Sequence, residues 1–119
     1  MTVRKQEDSG FISLIPDLDM SDHAASLRYA GMIQHALMPD PEFLKGYLKD
    51  FFVLFLPRDI VSGDFYYAFY NKYKMCIAVG DCTGHGVPGA LMSILGISFL
   101  NEILQSGADW KANRILNLM

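Results

Sequence analysis

Cysteine is scarce in this chain, with two among 119 residues. Cys76 and Cys82 lie on one short strand-and-loop segment and make no disulfide framework. A disulfide-stapled secreted scaffold is therefore excluded, and a reducing compartment fits. Excess positive charge is missing as well, since the formal charge is −3 and no basic cluster occurs. Nucleic-acid binding, which rests on Lys and Arg neutralising phosphates, is set aside. No stretch reaches the roughly 18 uninterrupted apolar residues of a membrane span, and the N-terminus lacks the charged-then-apolar order of a signal peptide. The expectation is a soluble, cytoplasmic protein without repeats or low-complexity segments.

What is present argues for a folded chain. Hydrophobic residues make up 51% of it, with eight Phe and six Tyr, whereas disorder needs low hydrophobicity and high net charge. The length allows at most one domain with a modest core. Residues 1–20 read as a flexible tail, 21–41 as a linker or signalling helix, and 42–119 as the body of the domain.

Local patterning places the elements. SDHAASLRYAGMIQHALMPDP carries Ala25, Tyr29, Met32, Ile33, Ala36 and Leu37 at helical spacing, with Ser21 or Asp22 as N-cap and Pro39 and Pro41 as stops. That apolar stripe either packs on its own domain or pairs with a second copy. FFVLFLP, Phe51 to Pro57, suits a strand buried on both faces. DFYYAFY and YKMCIAV read as a hairpin joined at Asn71-Lys72. ALMSILGISFLNEIL, Ala90 to Leu104, is apolar almost all round, as a helix buried on most of its surface is. Gly107 ends it and Asp109 caps a last short helix from Trp110.

The chemistry concentrates in two places. With a two-residue turn Asp64 faces Val79, and Asp81 is its diagonal neighbour on the same face. With a four-residue turn Asp64 lies directly opposite Asp81. Any even-length turn brings the carboxylates together. Such a pair repels unless a proton or a cation lies between its members, and a hard divalent ion such as Mg²⁺ or Mn²⁺ resolves the conflict. Equally, the two aspartates could do no more than cap turns.

Gly84-His85-Gly86-Val87-Pro88-Gly89 matches the dinucleotide fingerprint G-x-G-x-x-G, but the strand before it belongs to a hairpin and not to a parallel βαβ unit. Asp109 has the right distance for a ribose ligand yet follows a helix instead of ending a second strand. A cysteine phosphatase built on Cys82 lacks the arginine its loop needs. His85, flanked by glycines, is a candidate ligand or general acid, against the plainer reading of a loop histidine without a catalytic role. His23 and His35 read as surface residues of the helix.

Three blocks in order carry a resemblance. They are Ile33-Gln34 with Leu37-Met38-Pro39, then Pro57 to Tyr66 (PRDIVSGDFY), then Val79 to Ser93 (VGDCTGHGVPGALMS). Together they resemble the bacterial SpoIIE-type serine/threonine phosphatases of the metal-dependent protein phosphatase (PPM) family, over roughly Arg28 to Met119. The resemblance implies an α+β fold, a partial αββα sandwich of antiparallel strands with flanking helices. It implies two Mn²⁺ or Mg²⁺ ions in the complete domain, with Asp64 and Asp81 as catalytic metal ligands and the backbone carbonyl of Cys82 as a further ligand. Gly84, His85, Gly86 and Gly89 would shape the loop. A metal-activated water would attack the phosphorus of a phosphoserine in line. The implied substrate is a phosphorylated regulatory protein, of the STAS-type anti-sigma-factor antagonist class.

Members of that family continue with strands carrying at least two more aspartates, so the expectation is the N-terminal part of a catalytic domain, inactive alone. Uncovered edges and apolar faces would favour a homo-oligomer. The alternative is a non-catalytic interaction module with an empty metal site.

Overall fold

A computed structural model describes residues 20–107 and 110–119. The N-terminal tail and the Asp109 cap lie outside these residues. In chain order the elements are α1 (Met20–Leu37), α2 (Pro41–Lys45), β1 (Asp64–Tyr70), β2 (Met75–Asp81), α3 (Gly86–Gln105) and α4 (Ala112–Leu118). The architecture is α+β: helices flank an antiparallel pair of strands. Among the described residues there is no second sheet to complete a sandwich.

The hairpin forms where aromatic and β-branched residues predict it, but its turn is the longer of the two expected. Tyr70 pairs with Met75, leaving Asn71 to Lys74 as a four-residue loop. Asn71 is the reason: its Oδ1 accepts hydrogen bonds from the backbone N–H of Tyr73 at 3.0 Å and of Lys74 at 2.9 Å. An asparagine that folds back on its own turn in this way stabilises the bend locally. The second strand accordingly begins at Met75 and runs on to Asp81, past the Val79 where its apolar pattern stops.

Side chains alternate across the sheet. Phe65 and Tyr67 are buried in the main apolar cluster with Ile97, Leu100, Leu104 and Ile115. The cluster thus joins β1, α3 and α4. Tyr67 keeps its hydroxyl satisfied on Asn101 Oδ1 at 2.9 Å. Burying each large aliphatic side chain of this cluster stabilises the fold by about 1.5 to 3 kcal/mol.

α3 starts four residues before Ala90, so Gly86, Val87, Pro88 and Gly89 form its first turn. Pro88 is tolerated because first-turn N–H groups lack helical partners anyway. The helix buries Ala90, Ser93, Ile97, Leu100 and Leu104, one stripe, whereas Leu91, Met92, Leu95 and Phe99 are exposed. The expectation of a helix buried nearly all round is corrected accordingly. By length and mean hydropathy of 1.6 this helix is apolar enough to cross a membrane, but its buried stripe packs on the sheet as a core helix does. Gly107, at φ 77°, ends it as expected.

Two further expectations are corrected. α1 begins at Met20, which puts Asp22 within its first turn instead of at the cap. Of the apolar stripe, Tyr29, Met32, Ile33 and Leu37 are exposed, so it does not pack on its own domain, the first of its two alternatives; towards the domain the helix buries Gly31, Gln34 and, just beyond its end, Met38. Gly31 is needed there, because a Cβ would stand 2.9 Å from the Ile60 carbonyl oxygen. Phe51 to Pro57 is not a strand. It has no partner ladder among the described residues, and Phe52 is 88% exposed. Apolar composition alone does not make a strand when no neighbour offers hydrogen bonds. Phe55 ties this segment inward, edge-on to His35 and Tyr66, each at 6.0 Å between ring centroids, and Phe51 and Pro57 are half-buried too.

Candidate metal centre

The register sets Asp64 directly opposite Asp81 at the open end of the hairpin. Both side chains project from the face opposite Phe65, the face that also carries Val79 and Ile77. Although Asp64 is largely exposed, its carboxyl is pushed above the usual carboxylate range, first by partial desolvation, then by the charge of Asp81 and by a hydrogen bond with it. Two carboxyls sharing a site behave in this way.

Hydrogen bonds from α1 hold the approach to Asp64. Gln34 is 2% exposed and Ser93 0%. The Gln34 carboxamide grips both backbone groups of Ser62: Nε2 donates to its carbonyl, and Oε1 accepts from its N–H at 2.9 Å. Nε2 also donates to Ser93 Oγ at 2.6 Å, and Ser93 Oγ in turn donates to the Ala90 carbonyl at 2.8 Å. Ser62 Oγ accepts the Asp64 N–H at 3.0 Å. One carboxamide therefore joins α1, the strand entry and α3. Sequence reasoning quoted Gln34 as part of a motif but assigned it no role. Its signal was a glutamine within the apolar repeat of a helix.

Glycines bring the other wall close. A Cβ at Gly63 would lie 2.8 Å from the Cys82 carbonyl oxygen and 2.9 Å from that of Gly84. A Cβ at Gly89 would meet the same Gly84 oxygen at 2.8 Å. The segments approach this closely only because Gly63 and Gly89 carry no side chain. Gly84 and Gly86 have φ of 94° and 61°, the left-handed region expected of a tight turn, whereas Gly89 serves close packing within α3. Cys82 N–H donates to the Gly63 carbonyl at 3.3 Å, continuing the strand pairing into the loop.

His85 stands at the N-terminus of α3, its Nδ1 3.5 Å from Asp59 Oδ2. A cavity of about 110 Å³ lies between Asp64, Ser62, Gly84, His85 and Gly86. The Cys82 thiol is pushed up, by burial first and then by Asp81 and Asp64. This is the reverse of what a nucleophilic thiolate needs. The dinucleotide reading fails on the antiparallel pairing of the strand that leads into the loop.

The site's donors suit a divalent ion in part. Facing carboxylates whose repulsion is unrelieved are a cation's ordinary ligands, and Mg²⁺ commonly takes only one or two carboxylates and completes its shell with water. Among the described residues no group of three or more His, Cys, Asp or Glu is gathered to hold a metal. The pair therefore fits one ion, and a second lacks a carboxylate of its own among these residues.

No protein-family model matches the chain, and no curated protein matches it. Among solved structures it is similar to the SiaA-PP2C domain of Pseudomonas aeruginosa, with 37% identity and a TM-score of 0.72. The match covers 82% of this chain and 40% of that one, so the chain spans about two fifths of that domain's solved length.

Proposed function

We propose that this chain is part of a PPM-type, metal-dependent protein phosphatase domain, of the SpoIIE type within that family. The observation that carries the reading is the direct pairing of Asp64 with Asp81 at the mouth of the glycine loop, and the similarity to the SiaA-PP2C domain supports it. Asp64 and Asp81 would hold a Mn²⁺ or Mg²⁺ ion, with the Cys82 carbonyl as a further ligand. When bound, such an ion supplies Lewis-acid charge and activates water for attack on a phosphate ester.

The chain's own residues supply placement. Gln34 and Ser62 hold the backbone on which Asp64 begins, so a buried network fixes the strand end that carries the carboxylate. Gly63, Gly84 and Gly89 let the loop approach that network. Substrate phosphoserine on a regulatory protein of the STAS-type antagonist class is the reading favoured for the parent enzyme. The uncovered residues Phe52, Leu54, Leu56 and Val79 support self-association as a second property of this chain, which sedimentation at rising concentration would reveal as mass above the monomer.

Calorimetric titration of Mn²⁺ into the chain and into Asp64→Asn and Asp81→Asn tests the metal reading. Saturable binding that both substitutions weaken supports it. Binding that survives both would place the ion elsewhere and sink the assignment.

A further inference from the structure

The turn end of the hairpin carries a surface that the metal reading does not use. Tyr70, which closes β1, lies against Tyr47, just beyond α2, with ring centroids 4.2 Å apart, and Tyr47 in turn meets Phe43 at 5.1 Å. All three rings are half-exposed, and Tyr73 in the turn is 87% exposed. Lys72 and Lys74 flank Tyr73, and Lys49 stands two residues beyond Tyr47. These three lysines are exposed and make no ion pair among the described residues, whereas Lys45 is paired with Glu42. Of the acids nearby, Asp40 caps α2 through the Glu42 N–H, and Asp50 remains as the opposing charge. No basic run occurs along the chain; the Tyr47–Tyr70 stack gathers these lysines by setting the segment after α2 beside the turn. We propose that this end of the molecule is a docking surface for an anionic lipid bilayer, with Tyr73 entering the headgroup layer between Lys72 and Lys74. The proposal is independent of the phosphatase reading.

Charge identifies the occupant. From Phe65 to Gly80 the hairpin holds two lysines and no acid, while Asp64 and Asp81 sit at its other end, about 20 Å away at the usual rise of a strand. An anionic surface therefore attracts the turn and repels the opposite end, which orients the chain with its carboxylates facing away. The aromatic chemistry fits the same surface. Among the described residues the hydroxyls of Tyr47, Tyr70 and Tyr73 make no hydrogen bond, in contrast with those of Tyr66 and Tyr67. A tyrosine with an apolar ring and a hydroxyl left to water suits a headgroup layer, and lysine stems lie along apolar surface while their ammonium groups reach the phosphates. A folded acidic protein would have to supply a matching pocket for Tyr73, whereas a bilayer yields around it. Asn71 already holds the turn through the N–H groups of Tyr73 and Lys74, so docking has little left to order.

The test pellets the whole chain with vesicles in metal-free buffer, comparing about 30% phosphatidylserine in phosphatidylcholine with phosphatidylcholine alone. Each lysine near an anionic surface strengthens binding about five-fold, so three lysines against one aspartate should favour the anionic vesicles on the order of 25-fold. Lys72→Gln and Lys74→Gln should each weaken that binding about five-fold, and raising the salt from about 0.1 to 0.5 M should remove most of it. Tyr73→Ser should weaken binding without changing its salt dependence. All three positions are exposed, so the variants should melt with the parent. Arg28→Gln, which removes the same charge from the exposed surface of α1, should leave binding unchanged. Equal pelleting with both vesicles, no pelleting with either, or an equal loss in Arg28→Gln overturns the proposal. So does a glutamate-rich peptide that binds through Lys72 and Lys74 while anionic vesicles do not, an outcome that reassigns the surface to an acidic protein. None of these outcomes bears on Mn²⁺ binding at Asp64 and Asp81.

Discussion

Asp64 and Asp81 face each other across the last rung of the β1–β2 ladder, and the charge of Asp81, together with partial desolvation, makes Asp64 harder to ionise. The folded chain therefore holds the Asp64 proton more tightly than the unfolded chain does. The contribution of this one group to stability is fully present below the ordinary value of 3.8 and is lost as pH rises through that value and the raised one. In Asp81→Asn the Asp64 pKa should drop toward 3.8, without reaching it, because desolvation remains. Carboxyl-carbon NMR titration of the parent and the variant reads the shift directly, and an unchanged midpoint would show that the two carboxyls do not interact.

Mn²⁺ should reverse the sign of that pH dependence. A cation between the carboxylates favours their ionised forms and binds only the folded chain, so saturating metal should raise the melting temperature at pH 7 and lose its effect as pH approaches 4. Melting curves with and without Mn²⁺ across that range check the expectation.

Gly63→Ala should be costly where Gly107→Ala is mild. The first places a methyl within 3 Å of two backbone carbonyls, which cannot rotate away, and should cost about 1 to 3 kcal/mol while weakening metal binding. The second meets nothing within 4 Å and suffers only its positive φ, about 1 kcal/mol. Urea denaturation separates the two, and Mn²⁺ affinity should change only in the first.

Gln34→Leu keeps the side chain's bulk but strands the Ser62 N–H in the interior, while the Ser62 carbonyl keeps Ser93 Oγ at 3.2 Å as a donor. A loss of about 1 to 3 kcal/mol is expected from leaving that N–H unpaired. Gln34→Glu turns the donor to the Ser62 carbonyl into an acceptor, so its destabilisation should be larger at pH 7 than at pH 4.5. Equal loss at both values would mean that the carboxamide's donor is dispensable.

Cys82→Ser should leave Mn²⁺ binding unchanged, because the ligand proposed there is a backbone carbonyl. The parent thiol, raised by burial and two carboxylates, should react slowly with iodoacetamide at neutral pH compared with a free cysteine. Fast alkylation would contradict the local electrostatics.

Much of the site was legible before any coordinates, because a strand repeats every two residues. Every even-length turn keeps Asp64 and Asp81 on one face, so their meeting followed from counting. Their exact partnership did not, since the choice between two and four turn residues depended on the Asn71 side chain closing the longer loop. Periodicity likewise located α1 but left open whether its stripe meets the domain or a second copy. Apolar spacing reports a stripe, whereas the close approach at Gly31 and the carboxamide of Gln34 determined which side meets the domain.

The amino-acid sequence by itself determined the local elements and the chemistry they carry: a hairpin ending in two carboxylates, a glycine loop, and the apolar helix that follows. These depend on backbone preferences and on residue periods, which are properties of neighbours along the chain. Tertiary structure alone decided that Phe51 to Pro57 joins no ladder among the described residues, that α3 buries a single stripe, and that Gln34 reaches 28 residues along the chain to hold Ser62. Each of those outcomes depends on what lies opposite in space, and a hydrogen bond or a buried face exists only when its partner is there.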